Sequence, residues 1–411
     1  MKKLLFTAFG LCILAACSQD EVMEVNRNGD EITFDVVTNA ATRAMTVHCN
    51  NNMPTEFRVS AISDKKSYIE DDTYTSADGG ETWTNTIGTR YWPETATDFY
   101  AHVNGGESYN WSVSDEGKAT AQFLNFTVND EVANQVDLLY AVKTNETKET
   151  APVKLNFRHA LSQIVFQAKN TSKALYVEIY GIKVANVGKT NTFTFPGEST
   201  VGNFEDHEGA GGSITGVQGT WAGWDDKEQT TDYAVSFSKV EVPGDSEIKN
   251  LTNTNETDEK YGNVMLLLPQ STTAWDPETF PDPDPNSNPD DQKGSFFRVN
   301  CLIYNVNDTE AGFQEATDVC LWGTKNDQGD VTGPKELAIP VGFNWEQGKK
   351  YVYTLVFGHG NGGYNPDPDP DPDPEPEPVL VPITFDVTVD DFVEVPDTEI
   401  ESGIPGADAG E

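Results

Sequence analysis

Apolar residues recur at every second position along most of this chain, and that period constrains the fold more than any other feature. Tyr351, Tyr353, Leu355 and Phe357 share one face, with Val352, Thr354 and Val356 on the other. Leu175, Val177 and Ile179 alternate in the same way, as do Phe297, Val299, Cys301 and Ile303. Side chains of an extended strand point to opposite faces in turn, whereas a helix repeats at 3.6 residues. Turn-forming clusters separate the runs: Ala77-Asp78-Gly79-Gly80, Gly209 to Gly212, and Asn326-Asp327-Gln328-Gly329. Arg158 to Gln163 has helix-compatible residues, but it runs straight into Ile164-Val165-Phe166-Gln167-Ala168 and reads as a strand with a bulge or turn. Many short strands separated by turn residues predict an all-β chain built of two β-sandwich domains in tandem.

Charge excludes whole classes of function. The 411 residues carry 67 acidic against 27 basic side chains, a net charge of −40. Such a surface repels phosphate, so no nucleic acid partner is expected. Aromatic residues make up 10% of the chain, which excludes a disordered protein.

The two ends are specialised. Met1-Lys2-Lys3 followed by the apolar run Leu4 to Ala16 is too short to span roughly 30 Å of hydrocarbon, so residues 1–16 read as a signal peptide. Leu14-Ala15-Ala16-Cys17 has the form of a bacterial lipobox, which makes Cys17 the lipidated residue and residues 17–44 a lipidated propeptide. The remaining divisions are a first sandwich over 45–150, a second over 151–363, an acidic Pro-rich linker over 364–378, a strand region over 379–395 and an acidic tail over 396–411. Proline at alternate positions precludes helix and sheet and favours an extended polyproline II spacer of roughly 43 Å.

One pentapeptide occurs twice. Ile-Thr-Phe-Asp-Val stands at 32–36 and again at 383–387, with Ile32, Phe34 and Val36 on one face of the first copy and Ile383, Phe385, Val387 and Val389 on one face of the second. Two segments with the same alternation fit the same kind of groove. Behind the first copy lies Asn39-Ala40-Ala41-Thr42-Arg43-Ala44, small and polar with a single Arg, a substrate suited to a trypsin-like protease. Cleavage between Arg43 and Ala44 frees the first strand. The groove left behind would accept the second copy from another molecule by strand addition. Because that contact is head-to-tail, it generates an open filament rather than a closed dimer.

At these residues the chain is similar to a known family, the fimbrillins, lipoprotein precursors of type V pili in anaerobic Gram-negative bacteria. The resemblance rests on the lipobox at Cys17, on Ala41 to Ala44, on Asn156 to Ile164 with its core Arg158-His159-Ala160-Leu161-Ser162, on Met265 to Gln270 and on Phe343 to Tyr351. It implies transthyretin-like sandwich domains, outer-membrane delivery by the lipid at Cys17, cleavage after Arg43, and polymerisation with other copies and related pilus subunits at the cell surface. The acidic extension after residue 395 departs from the pattern.

Catalytic material is sparse. His48, His102, His159, His207 and His359 stand in unrelated contexts, no nucleophile elbow or H-E-x-x-H occurs, and no enzyme activity, cofactor or metal is expected. Cys301 and Cys320 lie in neighbouring strand-like runs and are a candidate disulfide in an exported protein, the alternative being two buried thiols. A second functional class remains open: a surface glycan-binding lipoprotein using Trp92, Trp111, Trp221, Trp224 and Trp275 as stacking platforms. The duplicated strand favours the pilus subunit, and the presence of both a cleavage segment and a second strand favours a shaft position.

Overall fold

A computed structural model describes residues 30–38, 54–200, 217–223, 230–252, 264–277, 294–358, 363–364, 378–379 and 383–391. Within them the alternating runs are strands, and helix is confined to three short 3-10 turns. The first strands are β1 (Phe34–Thr38), β2 (Glu56–Ser63), β3 (Lys66–Thr75), β4 (Thr84–Asn85), β5 (Thr97–Val103), β6 (Tyr109–Val113), β7 (Ala119–Thr127), β8 (Leu139–Glu146) and β9 (Val153–His159). Next come β10 (Ser162–Asn170), β11 (Leu175–Gly188), β12 (Thr190–Thr194), β13 (Thr220–Trp221), β14 (Thr230–Val242), β15 (Lys249–Asn250), β16 (Met265–Leu267) and β17 (Phe296–Asn305). The last are β18 (Val319–Trp322), β19 (Thr324–Lys325), β20 (Val331–Gly333), β21 (Lys335–Pro340), β22 (Lys349–Phe357), β23 (Gly363–Tyr364), β24 (Pro378–Val379) and β25 (Ile383–Asp391).

Four larger sheets result. The first runs β1-β9-β8-β5-β2-β3-β4, and a four-stranded sheet runs β13-β12-β7-β6. The other pair runs β15-β10-β22-β25, with β16 also on β10, and β14-β11-β17-β21-β23-β24, with β18 also on β17. Alternation dictates the packing. On the first sheet Phe57, Val59, Ala61, Phe99, Ala101, Leu139 and Ala141 face one core, while Tyr100, Tyr140 and Val142 face the other side. There Tyr140 meets Phe193 of the four-stranded sheet at 4.7 Å between ring centroids. In the second pair, Phe166 of β10 and Tyr353 of β22 close on Phe297 of β17 at 5.3 and 5.0 Å. A bulge in β11 between Ile179 and Gly181 keeps its register with two partners at once. At Gly181 a Cβ would lie 2.9 Å from the Val235 carbonyl oxygen, so a larger residue there would push β14 away.

Two features differ from a simple tandem. β9 pairs with β1 and β8, so the first sheet extends past residue 150 and the chain changes sheet only at Ala160-Leu161. The four-stranded sheet also joins β6 and β7 from before that change to β12 and β13 from after it, and one apolar core is continuous across both halves. The crossing is the motif Arg158 to Ser162. Ala160 N donates to Leu138 O at 2.9 Å, Trp221 Nε1 donates to Ala160 O at 2.8 Å, and Gly348 N donates to Leu161 O at 2.9 Å. Ser162 Oγ donates to Glu346 O at 2.9 Å. These bonds satisfy a buried backbone that leaves one sheet for another.

Candidate functional site

The first copy of the repeated pentapeptide completes a core. β1 lies at the edge of the first sheet, parallel to β9, in register from Phe34 opposite Val153 to Thr38 opposite Phe157. Just before it, Ile32 N donates to Arg90 O at 2.9 Å and Trp92 N donates to Asp30 O at 3.0 Å. Ile32, Phe34 and Val36 are 3%, 6% and 5% exposed, whereas Thr33 and Asp35 face solvent. The Phe34 ring stands edge-on to Tyr74 at 4.8 Å, Phe57 at 5.6 Å and Phe99 at 5.7 Å. Tyr74 is on β3, near the far edge of the same sheet, so the sheet curls until β1 meets it. Burial there pushes the Tyr74 hydroxyl up to about 12. Without β1, the apolar faces of Phe57, Tyr74 and Phe99 and one edge of β9 would meet water.

The second copy occupies a different place. β25 runs antiparallel to β22, from Ile383 opposite Phe357 to Asp391 opposite Lys349. Ile383 is buried and half-buried Phe385 packs on Phe297 at 5.9 Å and Tyr353 at 6.2 Å, but Val387 is 44% exposed. Only the backbone of Val389 is described. The expected extended spacer lies outside the described residues, but the residues on either side of it are described. Gly363 and Tyr364 pair antiparallel with Val379 and Pro378, so the two ends of 365–377 lie side by side and the chain returns to its own sheets.

The other expected residues separate cleanly. Cys17, Arg43, Ala44 and Trp224 lie outside the described residues, as do the signal peptide, 365–377 and 392–411. The candidate disulfide is not formed: Cys301 and Cys320 are both free thiols. Cys301 sits opposite Lys335 and faces the main core, whereas Cys320 sits opposite Tyr304 and joins a separate cluster with Tyr176, Leu302 and Tyr304. Strand pairing thus puts them three residues apart in register, with their side chains on opposite faces. Burial pushes both thiols up, leaving little thiolate.

His159 is structural: its Nδ1 lies 2.9 Å from Asp137 Oδ1, with both side chains buried. His102, not foreseen, is also buried, and its Nε2 lies 2.9 Å from Asp71 Oδ1, while Asp71 Oδ2 is 2.9 Å from Arg58 Nη1. Burial depresses the His102 imidazole, against the pull of Asp71. Among the described residues the expected tryptophans do not form a row of stacking platforms. Trp92 and Trp275 are buried, and Trp221 is half-buried, bonded to Ala160 and packed on Phe193 at 5.0 Å. Trp111, half-buried, lines an open cleft. The groove residues Phe57, Tyr74 and Phe99 show in the sequence as inward positions of strands, but their shared contact with Phe34 depends on how the sheet curls.

Comparison with known proteins agrees with this architecture. A family model described as fimbrillin-like matches residues 42–368. The fold is similar to the crystal structure of a fimbrial protein from Bacteroides vulgatus, with 14% identity and a TM-score of 0.50, over 88% of this chain and 99% of that one. The tip fimbrial protein Mfa3 from Porphyromonas gingivalis, solved with a C-terminal truncation, aligns over 88% of this chain and 99% of its own at 9% identity and a TM-score of 0.30. No curated protein matches the chain.

Proposed function

Given that the chain belongs to the fimbrillin-like family, we propose that it is a structural subunit of a cell-surface pilus, in a shaft position, that supports adhesion. In this reading it is exported as a lipoprotein acylated at Cys17, held at the outer membrane, cut between Arg43 and Ala44 by a trypsin-like protease, and polymerised head to tail by strand exchange. Its partners are other copies of itself and related subunits. The observation that carries the reading is the segment Ile32 to Val36 that leads into β1: it buries three side chains, stands directly before the Arg43 segment and is spelled again in β25.

The chemistry follows from what cleavage removes. Loss of residues 17–43 would take Ile32, Phe34 and Val36 out of the first core and leave the β9 edge from Val153 to Phe157 unpaired. An incoming Ile383, Phe385 and Val387 match the three vacated positions in order and in size. Burying each such side chain is worth roughly 1.5–3 kcal/mol before ordering costs. β25 must first leave β22 of its own subunit, where Val387 contributes little because it faces solvent. Exchange is therefore favourable where the new groove encloses the strand more fully than the old one.

Cleaved chains carrying Phe385→Asp or Thr384→Asp test this directly. Thr384→Asp should polymerise, and Phe385→Asp should not, because an unpaired charge would enter an apolar groove. Equal ladders on a mild-detergent gel would remove β25 as the donor. Arg43→Ala should leave full-length lipoprotein at the outer membrane and no ladder; an unchanged ladder would remove the cleavage step.

A further inference from the structure

The tips of two hairpins meet beside the first sheet. Asp64 and Lys65 turn β2 into β3 with φ of 46° and 61°, the left-handed pair of a tight hairpin. Ser114 to Lys118 turn β6 into β7, with Gly117 at φ 77°. A Cβ at Gly117 would lie 2.2 Å from Lys65 Cβ, so only glycine lets the two turns touch. Below this contact, between β3 of one sheet and the edge strand β6 of the other, lies an open cleft of about 630 Å³.

Its walls are unlike an apolar seam. Of the ten residues that line it, Trp111 and Val113 are apolar; three carboxylates, Asp64, Glu70 and Asp115, and two ammonium groups, Lys65 and Lys66, stand around them. Among the described residues none of the three carboxylates makes a hydrogen bond or ion pair, so their acceptor positions are open. Trp111 is half-buried and fixed twice: its Nε1–H donates to Ser67 Oγ at 2.9 Å, and its ring packs on Tyr100 at 5.2 Å between centroids. It is a rigid aromatic surface whose polar atom is already satisfied, so little order is lost when a ligand lies on it.

We propose that this cleft binds a neutral saccharide, with a pyranose C–H face stacked on Trp111 and its vicinal hydroxyls bonded to Glu70, Asp115 and Asp64. A sugar presents one apolar face and a rim of hydroxyl donors, which matches an indole ringed by carboxylates. Hydroxyl–carboxylate bonds are charge-assisted and among the stronger ones. The volume falls in the range of small-ligand sites, roughly 300–1,000 Å³. A nucleotide or acidic glycan would meet more carboxylates than ammonium groups on a chain of net charge −40, and would be repelled. A lipid would find too little apolar wall. The site is independent of strand exchange, because it uses neither β1 nor β25, and it would give a fibre subunit a repeated contact for a carbohydrate-coated surface.

Saturation-transfer NMR and titration calorimetry on the purified, uncleaved full chain test it, with lactose, maltose, mannobiose and diacetylchitobiose as neutral probes and a galacturonic acid trimer as the anionic one. At least one neutral disaccharide should bind at millimolar concentration or below, and the anionic trimer should not. Glu70→Gln with Asp115→Asn, both at exposed positions, should weaken that binding at least roughly tenfold without shifting the melting temperature. Trp111→Leu should abolish it. Failure of all four neutral probes, equal binding of the trimer, or unchanged affinity in the carboxylate variant would each overturn the proposal. If Trp111→Leu unfolds, the carboxylate variant decides alone.

Discussion

The same five residues lead into β1 and open β25, yet the two copies are held very differently. β1 runs parallel to its neighbour, and Phe34 and Val36 on it are buried together with Ile32 just before it, the central Phe34 touching three aromatic rings. β25 runs antiparallel to its neighbour, buries Ile383, half-buries Phe385 and leaves Val387 open. A pentapeptide therefore specifies a strand and an inward face, while the depth of the groove specifies how tightly the strand is kept.

Removing the ring from each copy should break the symmetry of the sequence most clearly. Phe34→Ala, in the uncleaved chain, should cost about 3–5 kcal/mol, the usual loss for an aromatic truncated in a full core. Urea unfolding followed by the fluorescence of Trp92, which packs in the same core, reads it. Phe385→Ala should cost less, about 1–2 kcal/mol, because half-burial forfeits part of the transfer energy. Equal losses would mean that β25 is as firmly seated as β1.

Acid should also tell the two regions apart. His102 lies on β5 of the first sheet, facing Asp71 and Arg58 from β3 and β2, and Tyr109 from β6 at 4.0 Å between rings. Its folded pKa is depressed by burial, so the unfolded chain takes up the proton first. The stability this group confers is complete above the unfolded value, about 6.5, and is lost as pH falls from there towards the folded value. His102→Phe should flatten that part of the stability–pH profile of the first region, and β25 protection against hydrogen exchange should not follow it. Smallest of all, Val387→Thr should change the stability of the single chain by no more than about 0.5 kcal/mol, as exposed positions generally do. A larger loss would show that β25 is held along its whole length.

Much of this was readable in the residues. Alternation at Tyr351 to Phe357, Leu175 to Ile179 and Phe297 to Ile303 marked strands that the structure contains, because side-chain direction in a strand is a local property of the backbone. The burial of Ile32, Phe34 and Val36 followed from the same rule. Arg158 to Ser162, read as an interrupted strand, is β9, a two-residue crossing and β10. What the residues could not carry was anything set by pairing between distant strands. Cys301 and Cys320 are near neighbours in sequence, but their register and opposite facing were decided by β17, β18 and β21 together. Nothing local foretold that Gly363 and Tyr364 would pair with Val379 and Pro378. Trp92, Trp111, Trp221 and Trp275 are one residue type in four surroundings, and only the packed sheets sorted buried rings from the one beside a cleft. Local pattern thus determined strands, faces and the repeated pentapeptide. The tertiary structure alone decided which edge each copy occupies and how deeply, because groove depth comes from the curl and stacking of whole sheets, to which no single segment holds the information.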